Sequence, residues 1–196
     1  EEVARIYGYD KIPTSLPEGE MTEGKKTFSQ KMEDKIRSLM TAAGFNEIIT
    51  YSFMNQKHYD DLLLAKDDYR RRSVVIMNPF SDEHGVMRTT LLPSLLTVEA
   101  RNMKRKNKDL ALYEYAHIFE PVAGEDLPKE TSHVAALISG ESAKSWRNQA
   151  KAVDFYRMKG ILEMVLQGFG ISQWELKAEA KEPFLHPGRC GGIYVN

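Results

Sequence analysis

The chain has a single cysteine, Cys190. That excludes an internal disulfide framework and fits a reducing, cytoplasmic setting. It has no run of about 18 apolar residues, so a membrane-spanning helix is not expected. No charge of one sign predominates: 27 Lys and Arg stand against 28 Asp and Glu, a net charge of −1. A whole-surface grip on nucleic acid is therefore not expected, and only a local patch could supply one. The phosphate-cradling and nucleophile signatures G-x-x-x-x-G-K-[ST], G-x-G-x-x-G, C-x-x-C and G-x-S-x-G are missing. The five histidines, at 58, 84, 117, 133 and 186, have no metal-type partner three or four residues away, which argues against zinc. There is no signal peptide, internal repeat or low-complexity segment.

With 196 residues, 42% of them hydrophobic, the chain can bury a core as one main domain with a small appendage. It opens within a helix, Glu1 to Tyr7, stopped by Gly8, and an extended linker from Lys11 to Pro17 follows. Phe28, Met32, Ile36, Leu39, Met40 and Ala43 repeat at helical spacing, which predicts an amphipathic helix over 26–43 ended by Gly44. A strand is expected over 47–53, a helix over 55–64 with Asn55 as cap, a charged loop over 66–72 and a short buried strand over 73–77. Asn78-Pro79 marks a turn. After Val86-Met87-Arg88, Thr89 or Thr90 can cap a helix that has Pro93 in its first turn and Leu92, Leu95, Leu96 and Met103 on one side. Strands are expected at 110–119, at 133–140 (central in its sheet), at 174–178 and at 191–195. Asp154 should cap a helix whose face runs from Phe155 to Phe169. Strands outnumber helices without alternating strictly with them. The fold class is therefore α+β, with a mixed, mainly antiparallel sheet flanked by helices. Since the chain lacks an initial Met and stops on a strand, it is expected to be a piece of something longer.

Four blocks in order carry the most information: N-P-F-S-D-E-H-G-V-M-R-T-T-L-L-P-S-L-L from Asn78, D-L-A-L-Y-E-Y-A-H-I-F from Asp109, D-F-Y-R-M-K-G from Asp154, and F-L-H-P-G-R from Phe184. This wording resembles motif 2 and its approach in class II aminoacyl-tRNA synthetases. It is most similar to the synthetase-like domain in the β-subunit family of bacterial phenylalanine–tRNA ligases, over essentially the whole chain. The resemblance implies that residues 1–17 close a preceding small domain and that 18–196 form a class II synthetase-like domain, truncated at its C-terminal end. Active class II sites place an arginine at the end of the motif 2 strand to hold the ATP α-phosphate. This chain reads Ala116-His117-Ile118-Phe119-Glu120 there, an anion where a phosphate clamp is needed. The implied role is thus part of a ligase without being its reactive centre. The domain would pack on a catalytic α subunit in an (αβ)₂ heterotetramer, that subunit would bind ATP, and the complex would join phenylalanine to its tRNA in the cytoplasm. Candidate contact regions are 26–43, 47–53 and 78–92.

The resemblance also matches Glu1 and Glu2 to a glutamate pair that binds a Mg²⁺ shared with the α subunit, a role suited to hard oxygen ligands; the residues' own chemistry fits a solvated helix face equally well. Arg101, Lys104, Arg105 and Lys106 lie in a dense basic run. They are candidates for tRNA phosphates, or else simply cations favoured at a helix C-terminus. Arg88 and Arg189 are candidate anion binders. His84, beside Asp82 and Glu83, is either a base or a hydrogen-bonded turn residue. Two alternatives keep a place. One is a free-standing class II ligase or paralogue with a displaced ATP clamp at Arg88 or Arg189. The other is a tRNA-binding module resting on 101–108 alone.

Overall fold

The computed structural model describes all residues except 17, 20–22, 143–145, 148 and 196. The end of the expected linker at Pro17 and part of the polar stretch around Trp146 lie outside the described residues. The chain begins with α1 (Glu2–Tyr7), closed by Gly8. Next comes α2 (Phe28–Ala42), where Thr27 and Gln30 form a reciprocal capping box: the Thr27 hydroxyl accepts the Gln30 amide, and the Gln30 side chain accepts the Thr27 amide. Gly44, at φ +86°, ends it with a left-handed turn that side chains disfavour.

The expected strand over 47–53 is instead two fragments in different sheets, β1 (Asn46–Glu47) and β2 (Phe53–Met54). The break has a local cause. The Thr50 amide donates to the Glu114 carboxylate at 3.0 Å rather than to a neighbouring strand, which removes the chain from the ladder. The helix expected over 55–64 shortens to α3 (His58–Asp61). Asn55 uses its side-chain oxygen to hold the Lys57 amide in a turn, and Leu63 takes φ +56°. The buried strand expected over 73–77 is a single bridge, Val75 to Val86, and Val75 and Met77 are exposed. With only one neighbour to pair with, the segment stays at a sheet margin.

After β3 (Val86–Met87), paired antiparallel with β2, comes α4 (Leu92–Lys104). Its N-cap is Leu91, with no side-chain cap, rather than Thr89 or Thr90; the Thr90 hydroxyl only accepts the Leu92 amide at 3.4 Å. Of the expected side, Leu95 is buried and Leu92 partly so, but Leu91 at the N-cap is buried where Leu96 is expected. The doubled leucines offer two stripes of equal periodicity, and Leu96 and Met103 face outward. β4 (Leu110–Glu120) and β5 (Lys129–Ser139) form an eleven-residue antiparallel pair, and β1 adds to β4 in parallel. The order β1-β4-β5 makes β4 the central strand and puts β5, expected in the centre, at an edge of the described sheet. β5 also begins earlier than expected because Lys129 to Ser132 pair with His117 to Glu120.

Asp154 caps α5 (Phe155–Gly168), accepting the Arg157 amide at 2.9 Å. β6 (Trp174–Ala178) and β7 (Gly191–Val195) then form a separate antiparallel pair. The α+β, mainly antiparallel expectation therefore holds, as three small sheets rather than one.

Alternation along β4 sets two faces. Ala111, Tyr113 and Tyr115 point into a core with Ile36, Met40 and Phe45, flanked by Met158, Ile161 and Val165 of α5. α5 closes on α2 at Gly168, where a Cβ would come 2.6 Å from a Leu39 methyl. A second core of Met54, Tyr59, Leu62, Leu64 and Val86 lies under the β2–β3 pair.

Candidate functional site

The second face of β4 carries Glu114, 2% exposed, and Arg88, 3% exposed, packs against it. The Arg88 guanidinium meets the Glu114 carboxylate at 3.1 Å. Its Nε donates to the His117 carbonyl at 2.9 Å, and its other donors reach the Thr50 hydroxyl at 3.0 Å and the Tyr51 carbonyl at 3.3 Å. Glu114 also accepts the Thr50 amide and hydroxyl. The backbone of residue 88 joins the same parts: its amide donates to Ser52 and its carbonyl accepts from Phe119. One residue thus ties the 50–53 segment, β3 and β4 together. A buried ion pair is tolerated when hydrogen bonds meet its remaining donors and acceptors, and here Nε and Nη1 of Arg88 and both carboxylate oxygens of Glu114 have partners. Arg88 does bind an anion, but it is the chain's own carboxylate. Sequence reading missed Glu114. The available signal was a lone acid inside the apolar and aromatic strand L-A-L-Y-E-Y-A, which demands a buried cation.

Glu120, at the end of β4, lies opposite Lys129 across the pair. His84 hydrogen-bonds with the Ser81 hydroxyl at 3.0 Å and meets the edge of Tyr51 at 5.5 Å, which is the turn-residue geometry. Around it, Tyr51, Phe53, Ile76, Pro79 and Phe80 line a cavity of about 370 Å³. The segments that supply its lining also carry exposed apolar side chains. Ile49 is 91% exposed, Met77 92% and Phe80 100%, with Tyr51 and Val75 also open. Exposed apolar side chains concentrated in this way mark an interaction surface.

The remaining candidates are dispersed. Glu1 and Glu2 are exposed, and the Glu2 carboxylate is held by Arg5 at 2.6 Å. Among the described residues no three His, Cys, Asp or Glu side chains gather as a ligand set, so this pair alone does not fit a Mg²⁺ site. Arg189 is exposed beside the N-terminus of α5, in a cavity of about 630 Å³ that includes Asp154, Tyr156 and Cys190. Arg101, Lys104, Arg105 and Lys106 lie exposed at the end of α4. Among the described residues, no helix is long and apolar enough to cross a membrane.

The loop read as charged, 66–72, holds a second, half-buried hub. Arg70 grips Asp68 through two nitrogens, at 2.9 and 2.8 Å, and Glu182 at 2.8 Å, and lies over the Phe184 ring. Its carbonyl accepts the Thr89 hydroxyl, which in turn pairs with the phenol of Tyr59. The hydrogen bonds from Arg70 hold the Asp68 carboxyl down at about 2, from 3.8. A depressed carboxyl stabilises the fold above its unfolded value and loses that contribution as pH falls through the folded one. Between pH 4.5 and 2 the protein should lose about 1–2 kcal/mol more than Asp68→Asn, allowing for partial solvent screening. Urea unfolding across that window checks it.

Residues 12–196 match the family described as the phenylalanyl tRNA synthetase beta chain CLM domain. The chain belongs to this family. It is 43% identical over its whole length to the phenylalanine–tRNA ligase beta subunit of Carboxydothermus hydrogenoformans, and 40% identical over 98% of its length to that of Geobacter metallireducens. In each case it spans 24% of the relative, so the chain is about a quarter as long as the β subunits it matches. Two solved structures of pyrrolysyl-tRNA synthetase from Desulfitobacterium hafniense share its fold. They have TM-scores of 0.54 and 0.56 at 17% and 16% identity, and cover 79% and 77% of this chain and 49% and 50% of theirs. The domain is thus a synthetase-like part of a β subunit. Its central strand β4 carries a buried acid, Glu114, and an acid at its end, Glu120.

Proposed function

We propose that this domain is a non-catalytic assembly module of a phenylalanine–tRNA ligase, holding the catalytic α subunit in an (αβ)₂ complex. The observation that carries the reading is the exposed apolar group Ile49, Tyr51, Val75, Met77 and Phe80. Ile49, Tyr51 and Phe80 fall within two of the three regions expected to make subunit contacts, whereas Val75 and Met77 lie outside them. Stable subunit interfaces commonly bury more than about 2,000 Å² around a few large apolar anchors, and Tyr51, Met77 and Phe80 are anchors of that type.

The chemistry of the β4 face supports a scaffold role. A phosphate clamp needs a cation free to meet the nucleotide, whereas the Arg88 guanidinium is bound to Glu114 and two backbone carbonyls. Glu120 adds negative charge at the strand end, opposite Lys129. ATP is therefore assigned to the α subunit. A Mg²⁺ shared at Glu1 and Glu2 would need further ligands from outside this chain. The test is affinity capture: the full-length β chain should retain the α subunit through washing. Failure of intact β to capture α would end the assembly reading.

A further inference from the structure

We propose that the C-terminal end of α4 is a docking surface for the sugar–phosphate backbone of RNA, with Arg101, Lys104, Arg105, Lys106 and Lys108 as its phosphate contacts. The surface is separate from the apolar face assigned to the α subunit. Five cations fall within eight residues with no acid among them, on a chain whose net charge is −1. All five are exposed. Some cations elsewhere have carboxylate partners, among them Arg5, Arg37, Arg70 and Arg71. These five form none among the described residues. Of the nearest acids, the Asp109 carboxylate accepts the Glu141 amide at 2.8 Å, and Glu99 lies within α4 before the run.

The ordinary explanation, cations completing a helix C-terminus, leaves the geometry unaccounted for. The end of α4 is closed by backbone: the Arg105, Lys106 and Asn107 amides donate to Asn102 and Met103 carbonyls at 2.9–3.1 Å, and the basic side chains add no hydrogen bond there. Lys106 also takes φ +68°, the left-handed position after a helix where glycine is the ordinary residue. A lysine thus stands where glycine would be more stable.

The chemistry selects the partner. Repeated cations without interleaved aromatics suit regularly spaced phosphates and offer no platform for base stacking. A protein partner would need apolar anchors, and this end of the helix presents only the half-exposed Met103.

The experiment is labelled-tRNA anisotropy on the full-length β chain assembled with its α subunit, from 50 to 200 mM salt. Each phosphate contact steepens the log–log salt slope by about 0.7–0.9. Changing Lys104, Arg105 and Lys106 together to Ala should flatten it by two to three, so that the affinity lost over this range shrinks roughly 20- to 40-fold. Lys106→Gly alone should flatten the slope by about one while raising the melting temperature, so a misfolded triple variant would not leave the question open. Unchanged slope and affinity in both variants would overturn the proposal. So would retained tRNA binding with lost capture of α, which would make the patch a protein contact. Loss of α capture by the unsubstituted chain would count against the assembly reading and not against this one.

Discussion

Arg88→Ala should destabilise the domain by about 3–5 kcal/mol, the range for removing one partner of a buried ion pair. Three losses follow from the one change. The Glu114 carboxylate, 2% exposed, is left without its cation. The carbonyls of His117 and Tyr51 lose a donor. The 50–53 segment loses the Arg88 side chain and is left with only the Thr50–Glu114 bonds to β4. Restoring only the volume, with Arg88→Met and Glu114→Leu together, should recover part of the stability but not all of it. Swapping a buried pair for apolar groups is often neutral, but here the Thr50 amide and hydroxyl would also lose their acceptor. Each unsatisfied buried group costs about 1–3 kcal/mol. Urea unfolding monitored by circular dichroism would place the double variant between the parent and Arg88→Ala. A double variant as stable as the parent would mean that the network orders nothing beyond its own charges.

Charging the apolar face should abolish subunit association while leaving the fold intact. Ile49→Asp, Met77→Asp and Phe80→Asp alter side chains that are almost wholly exposed. Their cost to folding should stay within about 0.5 kcal/mol. At an interface the same substitutions would bury an unpaired carboxylate among apolar groups. Anchor positions typically contribute about 2–4 kcal/mol each, a loss of roughly 30- to 1,000-fold in affinity for a single change. Size-exclusion chromatography of α mixed with β carrying two of the three substitutions should show separate peaks, with melting curves of the β chain unchanged. The contrast with Arg88→Ala separates the two regions: one acts on folding, the other on assembly.

The parts of this fold that were legible in the sequence are those where one signal acts alone. α2 and α5 have single apolar stripes and clear caps, and β4 is a long β-rich run between a charged segment and Pro121. Reading failed where two signals competed. Leu91, Leu92, Leu95 and Leu96 support two helix faces equally, and packing chose the one through Leu91 and Leu95. The 47–53 segment has strand composition, but a carboxylate 64 residues away takes the Thr50 amide. Residues 73–77 read as a buried strand because four of the five are apolar. In the structure Val75 and Met77 face outward, where the assembly reading puts a partner. The site divides in the same way. Glu120 was visible from its place at the end of a recognisable strand, whereas the Arg88–Glu114 pair depends on register between distant segments.

The most direct test is phenylalanine-dependent exchange of pyrophosphate into ATP by the full-length β chain without its α subunit. The account predicts no exchange above background until α is added. Exchange by β alone, lost on Arg189→Ala, would contradict it and place a working nucleotide site in this domain.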